Sequence, residues 1–114
     1  MAAQLKDGDA TNGEADVVVA EYHEGATEGD ALSTLEDQVG AGGAFAKIVE
    51  DTTAEVDAIF TAHTHRTYAW DAPVPGGGTR PIIQSGSYGN PLGQVQLGFD
   101  PQTRKVTQYS ATNL

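Results

Sequence analysis

Val56-Asp57-Ala58-Ile59-Phe60-Thr61-Ala62-His63-Thr64-His65 is an apolar run that ends in two histidines. A run of four or five apolar residues bounded by polar ones is strand-like. The continuous β-branched run upstream, Asp16 to Ala20, suits a strand with both faces buried, as in a parallel sheet covered by helices. A histidine where a strand passes into a loop is held by a rigid base and can aim a ring nitrogen at a cleft. His63 and His65 are two apart, so an extended backbone would project both to the same face.

Upstream, Asp16-Val17-Val18-Val19-Ala20 repeats the pattern, and His23 follows its end. Between the two runs, Phe45, Ile48, Val49 and Thr52 recur at helical spacing, with Lys47, Glu50 and Asp51 opposite, so Ala44 to Ala54 reads as a short amphipathic helix. Strand, helix and strand in this order predict a βαβ unit with parallel strands and a right-handed crossover. Both histidine loops should then emerge at one carboxyl edge, where open α/β sheets place ligands. Glu24 to Gly43 is rich in Gly, Thr, Asp and Glu and reads as a variable loop, with at most a helical turn around Leu32, Leu35 and Val39.

Downstream, Tyr68-Ala69-Trp70 reads as a short strand and Pro73 to Gly78 as a turn. The three glycines lack the Lys-Ser/Thr that follows them in a phosphate-binding loop. Pro81-Ile82-Ile83-Gln84-Ser85 reads as a third buried strand. Leu92 to Phe99 alternates polar and apolar faces, and Lys105 to Ser110 returns as its hairpin partner. Residues 1–15 are polar, contain Gly8 and Gly13 and show no apolar period, so they read as a flexible lead-in to a folded part at 16–114.

A length of 114 residues allows one domain, or a piece of a larger one. A net charge of −10 with six Lys and Arg carries no electrostatic footprint for nucleic acid and no attraction to anionic lipid. No apolar run approaches the roughly 20 residues that span a bilayer, so no membrane insertion is expected. Without cysteine there is no disulfide and no thiolate ligand, and either redox compartment is compatible. Neutral imidazoles suit zinc, iron, manganese, nickel or copper. Set against a metal role, His23 could be a surface histidine at a strand end, and His63 and His65 a polar turn capping a strand. Tyr68, Trp70 and Tyr88 read as packing aromatics, with stacking on a ligand as the alternative. Arg66 and Arg80 read as solvent-exposed charges, with a phosphate contact as the alternative.

The stretch Val56 to His65 resembles the strand and Gly-His-Ser/Thr-His motif of calcineurin-like metallophosphoesterases. Pro81 to Gly89, Leu92-Gly93 and Leu97-Gly98-Phe99-Asp100 resemble the strand, loop and hairpin that follow this motif in the 5′-nucleotidase branch. Asp16 to Ala20 with His23 and Gly25 is similar to that branch's earlier strand and its Ser-His-x-Gly ligand loop. The likeness runs from about Asp16 to Thr107.

This resemblance implies a partial αββα metallophosphoesterase sandwich, one βαβ unit followed by mostly antiparallel strands. It implies a hydrolase that uses two divalent metal ions, zinc, manganese or similar, to cleave phosphate monoesters such as 5′-nucleotides. His23 and His63 would ligate one metal and His65 the other. The family further implies an extracellular, cell-surface or periplasmic setting. Ala62 stands where the motif has Gly, so a required positive φ there would strain or shift the loop. Tyr22 and Glu24 flank His23 where a small and an apolar residue are usual.

The family's early Asp-x-His, its Gly-Asp-x-x-Asp with a bridging carboxylate and its Asn-His-Glu are absent before Asp16. The chain therefore resembles the carboxyl-terminal part of a catalytic domain. No catalytic residue is assigned within it, and at most one weakly bound ion, shared by His23, His63 and His65, is expected. Surfaces that a missing part would cover could support a dimer. A stand-alone binding or structural domain that keeps the scaffold is the competing class. A single-metal enzyme with three histidines is disfavoured, because no general-base motif stands beside them.

Overall fold

The computed structural model describes residues Met1–Leu114, and its centre is the predicted parallel pair. Strand β1 (Val19–Tyr22) lies beside β2 (Ala58–Thr61), with Val19 opposite Ala58 and Tyr22 opposite Thr61. Between them in sequence come α2 (Leu35–Gly40) and α3 (Gly43–Asp51). β3 (Thr67–Pro73) and β4 (Thr79–Ser85) form an antiparallel pair, and β4 inserts beside β2 in parallel, giving the order β1-β2-β4-β3. β5 (Gly93–Asp100) and β6 (Lys105–Asn113) make a separate antiparallel hairpin. The chain is thus an α/β domain with mixed sheets and few helices.

Alternation along the strands decides which residues meet which layer. Ile59, Ile82, Tyr68 and Ala72 face the helices and pack with Leu35, Phe45, Ile48 and Val49. Ile59 and Ile82 are fully buried there. Phe45, Tyr68 and Trp70 fill the same layer as an aromatic cluster, Tyr68 and Trp70 stacking at 4.2 Å. On the other face the hairpin docks on β3 and β4. Tyr109 donates from its hydroxyl to Asp71 at 2.8 Å, and the Asn113 amide donates to the carbonyls of Tyr68 at 3.0 Å and Gln84 at 3.2 Å.

Three features differ from the sequence expectation. The first strand begins at Val19 rather than Asp16 and is not buried on both faces; Val19 is 47% exposed. Its outer side has no neighbouring strand, so the β-branched run is an edge, not a centre. The loop assigned to Glu24 to Gly43 contains the six-residue α2, started by Thr34, whose side chain accepts from the Asp37 N–H at 3.2 Å. Gly42 and Gly43, both at positive φ, turn the chain from α2 into α3. Within the lead-in, α1 (Ala2–Leu5) forms one turn, the Ala15 N–H bonds to the Leu5 carbonyl at 2.7 Å, and Lys6 pairs with Asp57 at 2.6 Å.

Candidate functional site

Because β1 and β2 are parallel, both chains leave the sheet at the same edge. His23 follows β1 directly, and His63 comes two residues after β2. Their rings meet edge to face, with centroids 5.2 Å apart. His65 stands apart from this pair and lies instead beside Tyr88, at 6.3 Å between centroids. All three histidines are exposed. No three histidine, aspartate or glutamate side chains converge as a metal-holding group, so the three imidazoles do not surround one common point.

The expected extended geometry of His63-Thr64-His65 is corrected by the backbone. His63 has φ 69° and His65 φ 58°, both left-handed. The Thr64 N–H bonds to the Ala62 carbonyl at 2.8 Å, closing a three-residue turn with His63 at its centre. Left-handed backbone at a residue with a Cβ costs about 1–3 kcal/mol per position and persists only where the surroundings enforce it. Ala62 itself has no positive φ, so replacing the motif's glycine places no strain at that position. The strain falls on the two histidines.

What enforces it is a buried polar network directly beneath the loop. Gln84, on β4, is 2% exposed. Its carbonyl oxygen accepts from the Arg66 N–H at 2.9 Å, while its amide donates to the Thr64 hydroxyl at 3.0 Å and the Tyr68 hydroxyl at 3.1 Å. The Tyr68 hydroxyl also accepts from the Ala26 N–H at 3.2 Å and lies 2.6 Å from the Thr61 hydroxyl. Thr61 in turn donates to the Ile83 carbonyl at 3.1 Å. A hydroxyl has one proton and two lone pairs, so Tyr68 accepts twice and donates to Thr61, completing a chain with no idle member. Low dielectric makes each of these bonds costly to lose.

The two histidine loops are also locked to each other at Gly25. A Cβ there would lie 2.1 Å from the Gln84 amide nitrogen, 2.8 Å from the Ala62 carbonyl and 2.9 Å from the Thr64 hydroxyl. Only glycine lets the His23 loop approach the His63 loop this closely. Arg66, exposed, fastens the next turn by donating from Nε to the Thr27 carbonyl at 2.7 Å. It also lies 3.6 Å from Glu28.

Arg80 overturns both sequence readings. It is neither a surface charge nor a phosphate ligand but is buried, 2% exposed, and donates to the carbonyls of Thr52, Thr53 and Val56 where α3 gives way to β2. Burial lowers its pKa from the usual arginine range, against the opposing pull of Tyr22 and Asp57. Tyr68 and Trp70 pack as expected, whereas Tyr88 does not: it is 99% exposed.

A concavity of about 690 Å³ lies away from the histidines. It opens at the amino edge of the sheet, beside Asp16, Asp57 and the turn after β3, with Lys6 and Arg104 already paired to Asp57 and Asp16. Gln84 is the support of the histidine loop that the sequence reading passed over. Its signal was a carboxamide inside an otherwise apolar strand, a group that burial obliges to find partners. No family model matches the chain, and no curated protein or solved structure is significantly similar to it.

Proposed function

We propose that the chain is the carboxyl-terminal part of a calcineurin-like metallophosphoesterase catalytic domain of the 5′-nucleotidase branch, with the partial αββα sandwich that this entails. In this reading His23 and His63 hold one divalent ion and His65 contributes to a second. The approach of the His23 and His63 rings to 5.2 Å, from loops after two parallel strands, carries the proposal. An exposed pair of imidazoles on facing loops is half of a coordination shell for zinc or a similar ion, and further ligands must complete it. The separation of His65 from that pair fits a division between two ions rather than one shared shell.

Ions bound there would clamp phosphate oxygens and lower the pKa of a water, the chemistry of phosphate ester hydrolysis. The chain's own residues supply the positioning. Gln84 and Tyr68 hold the His63 loop, and Gly25 admits the His23 loop beside it. No carboxylate joins the histidines to offset the repulsion of two cations roughly 3.5–4 Å apart. This polypeptide alone is therefore expected not to turn over 5′-nucleotides. The outer edge of β1, with Val19 exposed, is where a further part of such a domain, or a second copy of the chain, would pair.

Zinc titration by calorimetry at neutral pH tests the assignment. Wild type should bind one ion weakly, His23→Ala or His63→Ala should weaken it about tenfold or more, and His65→Ala should have a smaller effect. No zinc binding by the wild type would remove the metal-site proposal and leave a binding or structural domain as the better description.

A further inference from the structure

The chain has three asparagines, and the fold treats each differently. Asparagine is among the thermolabile residues, because its amide carbon lies within reach of the next residue's backbone nitrogen. Attack needs that nitrogen to carry a removable proton, to be free of other bonds and to have no bulky side chain beside it. Asn90 precedes Pro91, whose ring nitrogen has no proton to lose. Asn113 is pinned. Its amide donates to the carbonyls of Tyr68 and Gln84, and the Leu114 N–H that follows it bonds to the Leu92 carbonyl at 2.8 Å. Asn12 has neither protection.

Asn12 is exposed in the turn between α1 and β1, and Gly13 follows it. The Gly13 N–H donates to no acceptor in the protein. Gly13 sits at φ 89°, and a Cβ there would meet nothing within 4 Å, so the approach to its nitrogen is open. The nearby Asp7-Gly8 pair shows the opposite arrangement, with the Gly8 N–H occupied by Glu14 Oε1 at 2.9 Å. One bond holds the Asn12 side chain, from its amide to Asp7 Oδ2 at 2.9 Å, and in solvent such a bond is weak. The turn nonetheless uses it. The Asp9 N–H and then this amide hold the Asp7 carboxyl below the usual carboxylate range.

We propose that Asn12 is a site of spontaneous deamidation whose product loosens the lead-in from the amino edge of the sheet. The Gly13 backbone nitrogen gives up its proton to solvent and bonds to the Asn12 side-chain carbonyl carbon. The bond from that carbon to the side-chain nitrogen breaks, and this nitrogen takes up a proton and leaves as ammonia. Water then opens the cyclic imide at either carbonyl, giving aspartate or isoaspartate and returning a proton to the Gly13 nitrogen. Nothing is oxidised or reduced. Either product sets a second carboxylate against Asp7, where like charges repel, and isoaspartate also lengthens the backbone by one carbon. The disturbance falls between Lys6, paired with Asp57 at 2.6 Å, and Ala15, whose N–H bonds to the Leu5 carbonyl at 2.7 Å. Those two contacts fasten α1 beside the sheet.

The test incubates the 114-residue chain at mildly alkaline pH and maps the products by peptide mass spectrometry with isoaspartate-specific methylation. Conversion of Asn12 should run about tenfold or more faster than that of Asn90 or Asn113. Asn12→Gln should remove the fast product, and Gly13→Ala should slow its formation. Hydrogen exchange then compares fresh and converted chain. The Ala15 amide should exchange faster after conversion, while the amides of β2 and β4 keep their rates. Asn12→Asp supplies the aspartate product directly and should show part of that change from the outset. No conversion of Asn12, equally fast conversion of Asn113, or an Ala15 amide unmoved by conversion would overturn the proposal. The histidine edge takes no part in it, so the outcome is independent of the metal assignment.

Discussion

The two ends of the four-stranded sheet are finished in opposite ways. At the amino edge the charges are matched, Lys6 with Asp57 at 2.6 Å and Arg104 with Asp16 at 2.7 Å, around a cavity of about 690 Å³. At the carboxyl edge a neutral network of Gln84, Tyr68 and Thr61 is satisfied below the surface, while three imidazoles and a tyrosine ring are held up in solvent on a partly left-handed backbone. A cavity therefore marks one end and exposed rings the other. The amino edge uses its polar groups to fasten α1 and the hairpin turn to the sheet. The carboxyl edge uses a buried set for fastening and leaves its rings exposed.

The sharpest way to break this contrast is Gln84→Ala. It leaves the Arg66 N–H and the Thr64 and Tyr68 hydroxyls short of a partner and opens a void in a fully packed strand. A loss of roughly 3 kcal/mol in urea unfolding is expected, with faster amide exchange at Arg66 than at Val18. A near-neutral result would show that the histidine loop holds itself.

Gly25→Ala should cost somewhat less, roughly 2 kcal/mol, because the Gln84 side chain can yield whereas the Ala62 carbonyl cannot. Its diagnostic is loss of the nuclear Overhauser contact between the rings of His23 and His63. Persistence of that contact would mean that the loops meet for another reason. The smallest effect, and of opposite sign, is expected for His63→Gly, which relieves the left-handed strain at 69° and should raise stability by up to about 1 kcal/mol in thermal unfolding. A lower melting temperature would show that the backbone there is not strained.

Much of the scaffold was legible because its signals are local. Ala58 to Ala62 and Pro81 to Ser85 announce themselves as buried strands and Lys105 to Ser110 as the return of a hairpin, close to the β2, β4 and β6 that form, of which β4 starts two residues earlier and β6 runs on to Asn113. The helix read over Ala44 to Ala54 from its apolar spacing forms at Gly43–Asp51. The start of α2 was also written in the chain, as Thr34 followed by Asp37, but a single capping pair is outweighed by the glycines and acids around it. Arg80 was misread because an arginine's default is the surface, and only the carbonyls left at the end of α3 make burial tolerable.

Sequence by itself pointed to two short strands that run parallel and deliver His23 and His63 to one edge, since a strand-helix-strand order favours a parallel crossover, and the pairing is parallel. Tertiary structure alone decided that β1 is an edge strand and that His63 and His65 part company. It also decided that a glutamine and a tyrosine far apart in the chain hold the loop. Those outcomes depend on φ angles, on which neighbours are present and on hydrogen bonds between residues distant in sequence, none of which a local pattern of side chains encodes.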